Sequence, residues 1–271
     1  MPAMSREHQP STDVSRWALV TGASSGIGAD IARELASRGL NLILVARRQD
    51  RLDEFATELR RDHGIKAETE ACDLGEPGAV EALFERTRAR EREIRVLVNC
   101  AGFGLHGRFV EQDLSRLHDM IRLNVIATTD MTWRFGRAMA DSGGGHILQV
   151  ASIAGMNPLP SYAAYAATKA YVLSLSEAIA HELGPKQVFF TALHPGVTWT
   201  EFFDTSGQKP TFYSRVFGMN SRDVARIGVK AMLARRHSVV AGWRNWWSIT
   251  LASIFPRRVR AWLTWQVNRS D

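Results

Sequence analysis

The stretch Thr21-Gly-Ala-Ser-Ser-Gly-Ile-Gly28 follows a short apolar run, Trp17-Ala-Leu-Val20. It precedes residues in which Ile27, Ile31 and Leu35 recur on one helical face. Strand, glycine turn, helix is the order that decides the fold. Outward from it, Asn41-Leu-Ile-Leu-Val-Ala46 is a continuous apolar run, the pattern of a strand covered on both faces. Further strands are predicted at 66–72, 96–99, 146–151, 188–193 and 238–241. Helices are predicted at 26–37, 48–63, 77–90, 113–140, 161–183 and 221–235. Seven strands alternating with helices predict an α/β protein with a doubly wound, parallel, seven-stranded sheet.

The chain has 271 residues, with 34 Lys and Arg against 28 Asp and Glu, a net charge of +6. No repeat or low-complexity linker divides it. The expected organisation is a disordered segment at 1–15, one domain at 16–242 that includes a substrate loop at 200–220, and an amphipathic helical tail at 243–271. No compact basic run with interleaved aromatics is present, so nucleic-acid binding is not expected. Cys72 and Cys100 lack metal-ligand spacing and read as two small buried residues; no metal site is expected. The polar start and the absence of a long uncharged apolar run make the cytoplasm the expected compartment.

The glycine-rich stretch has the features of a phosphate cradle. Gly22, Gly26 and Gly28 allow a tight turn, close backbone approach and close helix packing, and the helix start adds aligned N–H donors. Ser24, Ser25 and Ile27 complete the expected contacts of this loop. About 20 residues past the glycines a carboxylate would mark NAD. Here Ala46-Arg47-Arg48 stands instead. A guanidinium suits a ribose 2′-phosphate, so NADP(H) is expected in preference to NAD(H), with Arg47 the first choice and Ser24 or Arg48 assisting. Asp73, with Leu74 behind it, reads as an acceptor for the adenine amino group or as a turn residue. Asn99-Cys-Ala-Gly102 ends a strand in small residues, so Asn99, Ala101 and Gly102 are expected beneath the cofactor.

Tyr165 and Lys169, four apart on a predicted helix, share one face. A nearby ammonium makes a phenol more acidic, so the pair suits proton exchange with a substrate oxygen near neutral pH. Tyr162 has Ala166 at the matching position and lacks the cation. Ser152 follows the apolar strand at 146–151, and Asn124 interrupts the apolar stretch Ile121-Arg-Leu-Asn-Val-Ile126.

With Pro195-Gly196, these motifs resemble the short-chain dehydrogenase/reductase superfamily, in its single-domain Tyr-x-x-x-Lys branch, from about residue 17 to 241. Cys100 departs from the family's usual second Asn. The resemblance implies a Rossmann fold and an NADP(H)-dependent oxidoreductase acting on a carbonyl or secondary alcohol. It implies that Tyr165 is the general acid or base and that Lys169 lowers its pKa and holds the nicotinamide ribose. It further implies that Ser152 binds the substrate oxygen and that Asn124 holds a water linking Lys169 to solvent. Pro195, Gly196, Thr198 and Thr200 would contact the cofactor, the two threonines at its carboxamide. It implies a homodimer or homotetramer through the helices at 113–140 and 161–183. A catalytically silent dinucleotide-binding scaffold and a lyase or epimerase on the same fold are the alternatives.

Phe103, Leu105, Phe202, Phe203, Phe212 and Phe217 are expected to rim an apolar substrate pocket, with Gly207 and Pro210 in a mobile lid. His106 and His194 read as structural. In the tail, Trp243, Trp246, Trp247, Leu251 and Ile254 repeat at helical spacing, Pro256-Arg-Arg258 interrupts, and Val259, Trp262, Leu263 and Gln266 resume. The pattern fits a peripheral membrane contact, a helix closing the pocket, or a subunit contact.

Overall fold

The computed structural model of the chain describes residues 16–202 and 217–268. Residues 1–15, and with them the expected disordered segment, lie outside the described residues, as do 203–216 with Phe203, Gly207, Pro210 and Phe212 of the expected lid. The apolar runs form β1 (Trp17–Thr21), β2 (Asn41–Ala46), β3 (Ala67–Ala71), β4 (Ile94–Asn99), β5 (Gly145–Val150), β6 (Val188–His194) and β9 (Ser238–Val240). These seven make one parallel sheet in the order β3-β2-β1-β4-β5-β6-β9. Two short strands, β7 (Thr198–Trp199) and β8 (Met219–Asn220), pair separately. At two residues each they are too short to produce an alternation that sequence could reveal.

Between the strands run α1 (Gly26–Ala36), α2 (Gln49–His63), α3 (Ala79–Ala89), α4 (Leu114–Ile121), α5 (Thr128–Asp141), α6 (Ala163–Leu183) and α7 (Ser221–Leu233). The tail forms α8 (Trp243–Ser253) and α9 (Arg257–Asn268). Neighbouring strand residues serve opposite layers. Val20, Leu42 and Leu44 pack with Ile31, Leu35, Leu59 and Val229 of α1, α2 and α7. Leu19, Ile43 and Val45 pack with Leu83, Met131 and Phe135 of α3 and α5. That two-sided covering is why the β2 sequence is apolar without alternation. Each such side chain, fully buried, contributes about 1.5–3 kcal/mol.

The helix expected at 113–140 runs over residues 114–141 with one irregular turn inside it. Residues Arg122–Ala127 form a π turn between α4 and α5. Asn124 sits in it, 1% exposed, with its side chain engaged outside its own helix. A π turn within an α-helix is a recognised irregularity of this kind. The tail folds back on the domain. Asn245 is buried and donates to the Ala241 carbonyl at 2.8 Å. Arg260 donates to Asn157 at 2.8 Å and Thr264 to the Pro158 carbonyl at 3.1 Å. No described helix is long and apolar enough to cross a membrane.

His194 closes β6 fully buried, with Nε2 3.0 Å from the Ser238 hydroxyl. Burial pushes its imidazole down to about 4. The unfolded chain, with an ordinary histidine near 6.5, therefore binds a proton that the folded chain refuses as pH falls through this interval. Stability is complete above about pH 6.5 and falls towards pH 4, by up to about 3 kcal/mol from this group. Denaturant unfolding followed between pH 7 and 4 checks this. His194→Gln should flatten that part of the profile; an unchanged acid slope would remove His194 as its source.

Candidate active site

In the sheet, strand order reverses between β1 and β4, and open α/β sheets bind ligands at the carboxyl ends beside that reversal. The Thr21 hydroxyl holds these ends together. It donates to the Val98 carbonyl at 3.1 Å and accepts from the N–H groups of Cys100 and Ala101 at 2.9 and 3.0 Å. Above it opens a cavity of about 1160 Å³, walled by the glycine-rich loop, the strand ends, α6 and the tail. That exceeds the roughly 300–1,000 Å³ of drug-sized pockets.

Gly22 is left-handed, at φ +68°, and a Cβ on Gly28 would lie 2.3 Å from the Gly22 carbonyl oxygen. Only glycine permits this turn and this packing. Ser24, Ser25, Gly26, Ile27 and Gly28 all reach the cavity wall. Ser25 makes no side-chain cap bond to α1, and the first turn holds no acid. The helix start thus offers its N–H donors and partial positive charge to the cavity, which fits a phosphate group.

Both arginines after β2 reach the wall. Arg47 is largely exposed and lies 3.8 Å from Asp73. Arg48 donates to the Ser24 hydroxyl at 3.1 Å, so the assisting pair named from sequence meets in space. Arg48 also pairs with Glu201 at 3.1 Å, and Glu201 with Arg51 at 2.7 Å. Sequence reasoning missed Glu201 and Arg51; no local signal joins residues so far apart. Asp73 accepts from the Gly75 N–H at 3.0 Å, the turn role weighed for it, and also reaches the wall with Leu74. Ala101, Gly102, Pro195, Gly196, Thr198 and Thr200 line the cavity. Asn99 does not: it is buried and donates to Thr132 at 3.2 Å.

Ser152, Tyr165 and Lys169 converge on one wall. The Ser152 oxygen accepts from the Ala154 N–H at 3.1 Å and so also caps the turn that follows β5. Lys169 donates to the Val150 carbonyl at 2.8 Å, and burial pushes its ammonium down to about 8. The Tyr165 phenol moves opposite to the sequence expectation: burial pushes it up to about 12, and a hydrogen bond with Ser152 only partly offsets this. The Lys169 ammonium lies 5.9 Å from the Tyr165 ring centroid and turns to a backbone carbonyl, so desolvation decides.

Asn124 stands behind the wall. It accepts from the Phe103 N–H at 3.2 Å and donates to the Phe103 carbonyl at 2.9 Å and to Thr168 at 3.1 Å. A Cβ on Gly102 would lie 2.8 Å from Asn124 Oδ1 and 3.6 Å from Lys169 Nζ, which places the two side chains beside each other. Of the expected apolar rim, Phe103 and Phe202 line the cavity, the Phe202 ring 5.5 Å from that of Tyr165. Tyr162, set aside on sequence for lacking a cation, also lines it, its ring 5.9 Å from that of Tyr165. Ser248, Ile249, Ala252, Leu263 and Thr264 of the tail complete the wall. The tail therefore closes the pocket, one of the roles its periodicity allowed.

The family model for short chain dehydrogenase matches residues 16–211. The 7beta-hydroxysteroid dehydrogenase of Clostridium sardiniense is 32% identical over 187 residues, 68% of this chain and 70% of its own. A solved short-chain dehydrogenase from Sphingobium yanoikuyae in complex with NADPH is 32% identical, covers 88% of this chain and 94% of its own, and superposes with a TM-score of 0.79. A bulky-bulky ketone specific alcohol dehydrogenase from Comamonas testosteroni is 29% identical, with 88% and 92% covered and a TM-score of 0.74. By fold, by site and by the span of the match, the chain belongs to the short-chain dehydrogenase/reductase family of oxidoreductases.

Proposed function

We propose that this protein is an NADP(H)-dependent oxidoreductase that interconverts an apolar carbonyl compound and its secondary alcohol. The observation that carries the reading is that Ser152, Tyr165 and Lys169 line the same cavity as the glycine-rich loop and Arg48. When bound, the nicotinamide cofactor supplies or accepts the hydride. Gly22 to Gly28 and the start of α1 would hold its pyrophosphate, and Arg48 with Ser24 and Arg47 its 2′-phosphate. Ser152 donates a hydrogen bond to the substrate oxygen and stabilises the charge that develops there. Tyr165, its phenol held in the protonated form by burial, delivers its proton to that oxygen in reduction and becomes a tyrosinate; in oxidation the tyrosinate takes the alcohol's proton. Lys169, tied to the Val150 carbonyl, would hold the nicotinamide ribose, and Asn124 beside it would hold a water linking Lys169 to solvent. Phe103, Phe202, Tyr162 and Ile249 make the substrate end apolar. That agrees with relatives named for hydroxysteroids and bulky ketones.

The cofactor preference rests on the guanidinium pair where a carboxylate would select NAD. The neighbours bound to NADPH and to an NADP derivative support it. We also infer a homodimer through α4, α5 and α6, where Ile121, Ile126, Trp133 and Tyr171 stand exposed on neighbouring helices. Light scattering at twice the 30.2 kDa chain mass checks this, and a monomer at micromolar concentration would exclude it.

Tyr165→Phe should lower kcat/KM for ketone reduction by about 10²–10⁴-fold while leaving NADPH affinity within about threefold, since only the transferable proton is removed. Retained turnover would remove Tyr165 as the proton donor. Arg48→Ala should weaken NADPH by about 10–100-fold and leave NADH unchanged, because charge-assisted bonds to the 2′-phosphate are lost. Tryptophan quenching titrations measure both cofactors; equal loss for the two would overturn the assignment.

A further inference from the structure

The two tail helices carry a second surface, on the side away from the cavity. Asn245, Ser248, Ile249 and Ala252 of α8 point into the protein at helical spacing, Asn245 buried and the others on the cavity wall. On the opposite side Trp243 is 70% exposed, Trp247 59% and Ile254 75%, and α9 continues the patch with Trp262 at 59%. Of the eighteen large apolar side chains exposed among the described residues, nine lie between 243 and 263. A soluble surface does not concentrate them so.

The charge beside the patch is one-sided. Residues 224–270 hold nine Lys and Arg and no Asp or Glu, whereas the rest of the chain holds 25 basic and 28 acidic residues. The whole positive surplus therefore belongs to this end of the chain. Arg244, Arg257 and Arg258 are exposed on α8 and α9 themselves. Within α8 and α9 stand Arg244, Arg257, Arg258 and Arg260 and no Asp or Glu, so a two-fold contact with a second copy would set like charges against each other. An anionic lipid surface meets both features: tryptophans enter the head-group layer, and arginines face the lipid phosphates. Neither helix can span a bilayer, so the contact lies in the plane of the interface.

We propose that α8 and α9 form a platform that docks the protein on the surface of an anionic phospholipid bilayer, with Trp243, Trp247, Ile254 and Trp262 inserted and Arg244, Arg257 and Arg258 on the head groups. The platform does not depend on the hydride-transfer reading. It would, however, bring the roof of the apolar cavity to the lipid, where apolar carbonyl compounds concentrate.

Co-sedimentation of the full chain with vesicles of phosphatidylcholine alone, and of equal parts phosphatidylcholine and phosphatidylglycerol, tests it. The expected result is binding to the anionic vesicles, at least tenfold weaker on phosphatidylcholine alone, weakened by salt and accompanied by a blue shift of tryptophan emission. Arg257→Gln with Arg258→Gln should lower the anionic affinity about tenfold. The variant Trp243→Ser, Trp247→Ser, Ile254→Ser, Trp262→Ser should abolish binding while retaining the wild-type melting temperature and NADPH affinity. Should that variant misfold, the arginine pair and the salt dependence still decide. Absence of sedimentation, or binding indifferent to lipid charge, would overturn the proposal. A concentration-dependent dimer that the four-residue variant abolishes would assign the surface to a second copy and overturn it equally.

Discussion

The Thr21 hydroxyl is the constraint on which the site depends. One donated and two accepted hydrogen bonds lock the carboxyl ends of β1 and β4, the two strands between which the strand order reverses. From there a continuous series of bonds leads to the chemistry. Phe103, just past β4, is held at both its N–H and its carbonyl by Asn124. Asn124 donates onward to Thr168, whose hydroxyl donates to the Tyr165 carbonyl at 2.8 Å. Lys169 then ties α6 back to Val150, two residues before Ser152. Each such bond contributes about 1 kcal/mol net, but a buried partner left alone costs about 1–3 kcal/mol, so loosening one member penalises its neighbours.

Burial, more than charge pairing, sets the electrostatics of this wall. The tyrosine and the lysine are both driven towards their neutral forms, the phenol up to about 12 and the ammonium down to about 8. An i, i+4 spacing guarantees a shared helical face; it does not guarantee that the two polar ends meet. Here the lysine reaches past the ring to a strand carbonyl. The resulting phenol holds its proton firmly in the absence of ligand, which suits delivery to a carbonyl oxygen. At the other end of the cavity charge does dominate: hydrogen bonds from Arg51 and Arg48 lower the pKa of the Glu201 carboxyl. Glu201 thus occupies the Arg48 guanidinium that is proposed for the 2′-phosphate.

The tail shows the same division between pattern and placement. Its tryptophan periodicity predicted an amphipathic helical tail interrupted at Pro256, and α8 and α9 lie on either side of that interruption. Periodicity was silent on which stripe turns inward. The small and polar stripe, from Asn245 to Ala252, faces the domain, and the aromatic stripe faces out. An apolar stripe is ordinarily the buried one, so the inversion is a property of this surface.

Much of the architecture was legible in the chain itself, because it rests on local rules. Alternation of apolar strands with amphipathic helices determined the doubly wound sheet, and glycines at 22, 26 and 28 determined a turn that no other residue allows. The spacing of Tyr165 and Lys169 determined a common face, and Ala46-Arg47-Arg48 determined a cationic strand end. What tertiary structure alone decided involves partners far apart in sequence: Thr21 with Val98, 77 residues on, Asn124 with Phe103 and Thr168, and Arg48 with Glu201, 153 residues on. The π turn, the small β7–β8 ribbon, the burial that reverses the expected phenol shift and the tail's place over the cavity are of the same kind. Local sequence sets dihedral preferences and periodicity, whereas hydrogen-bond partners and desolvation depend on which distant segments the packed sheet brings together.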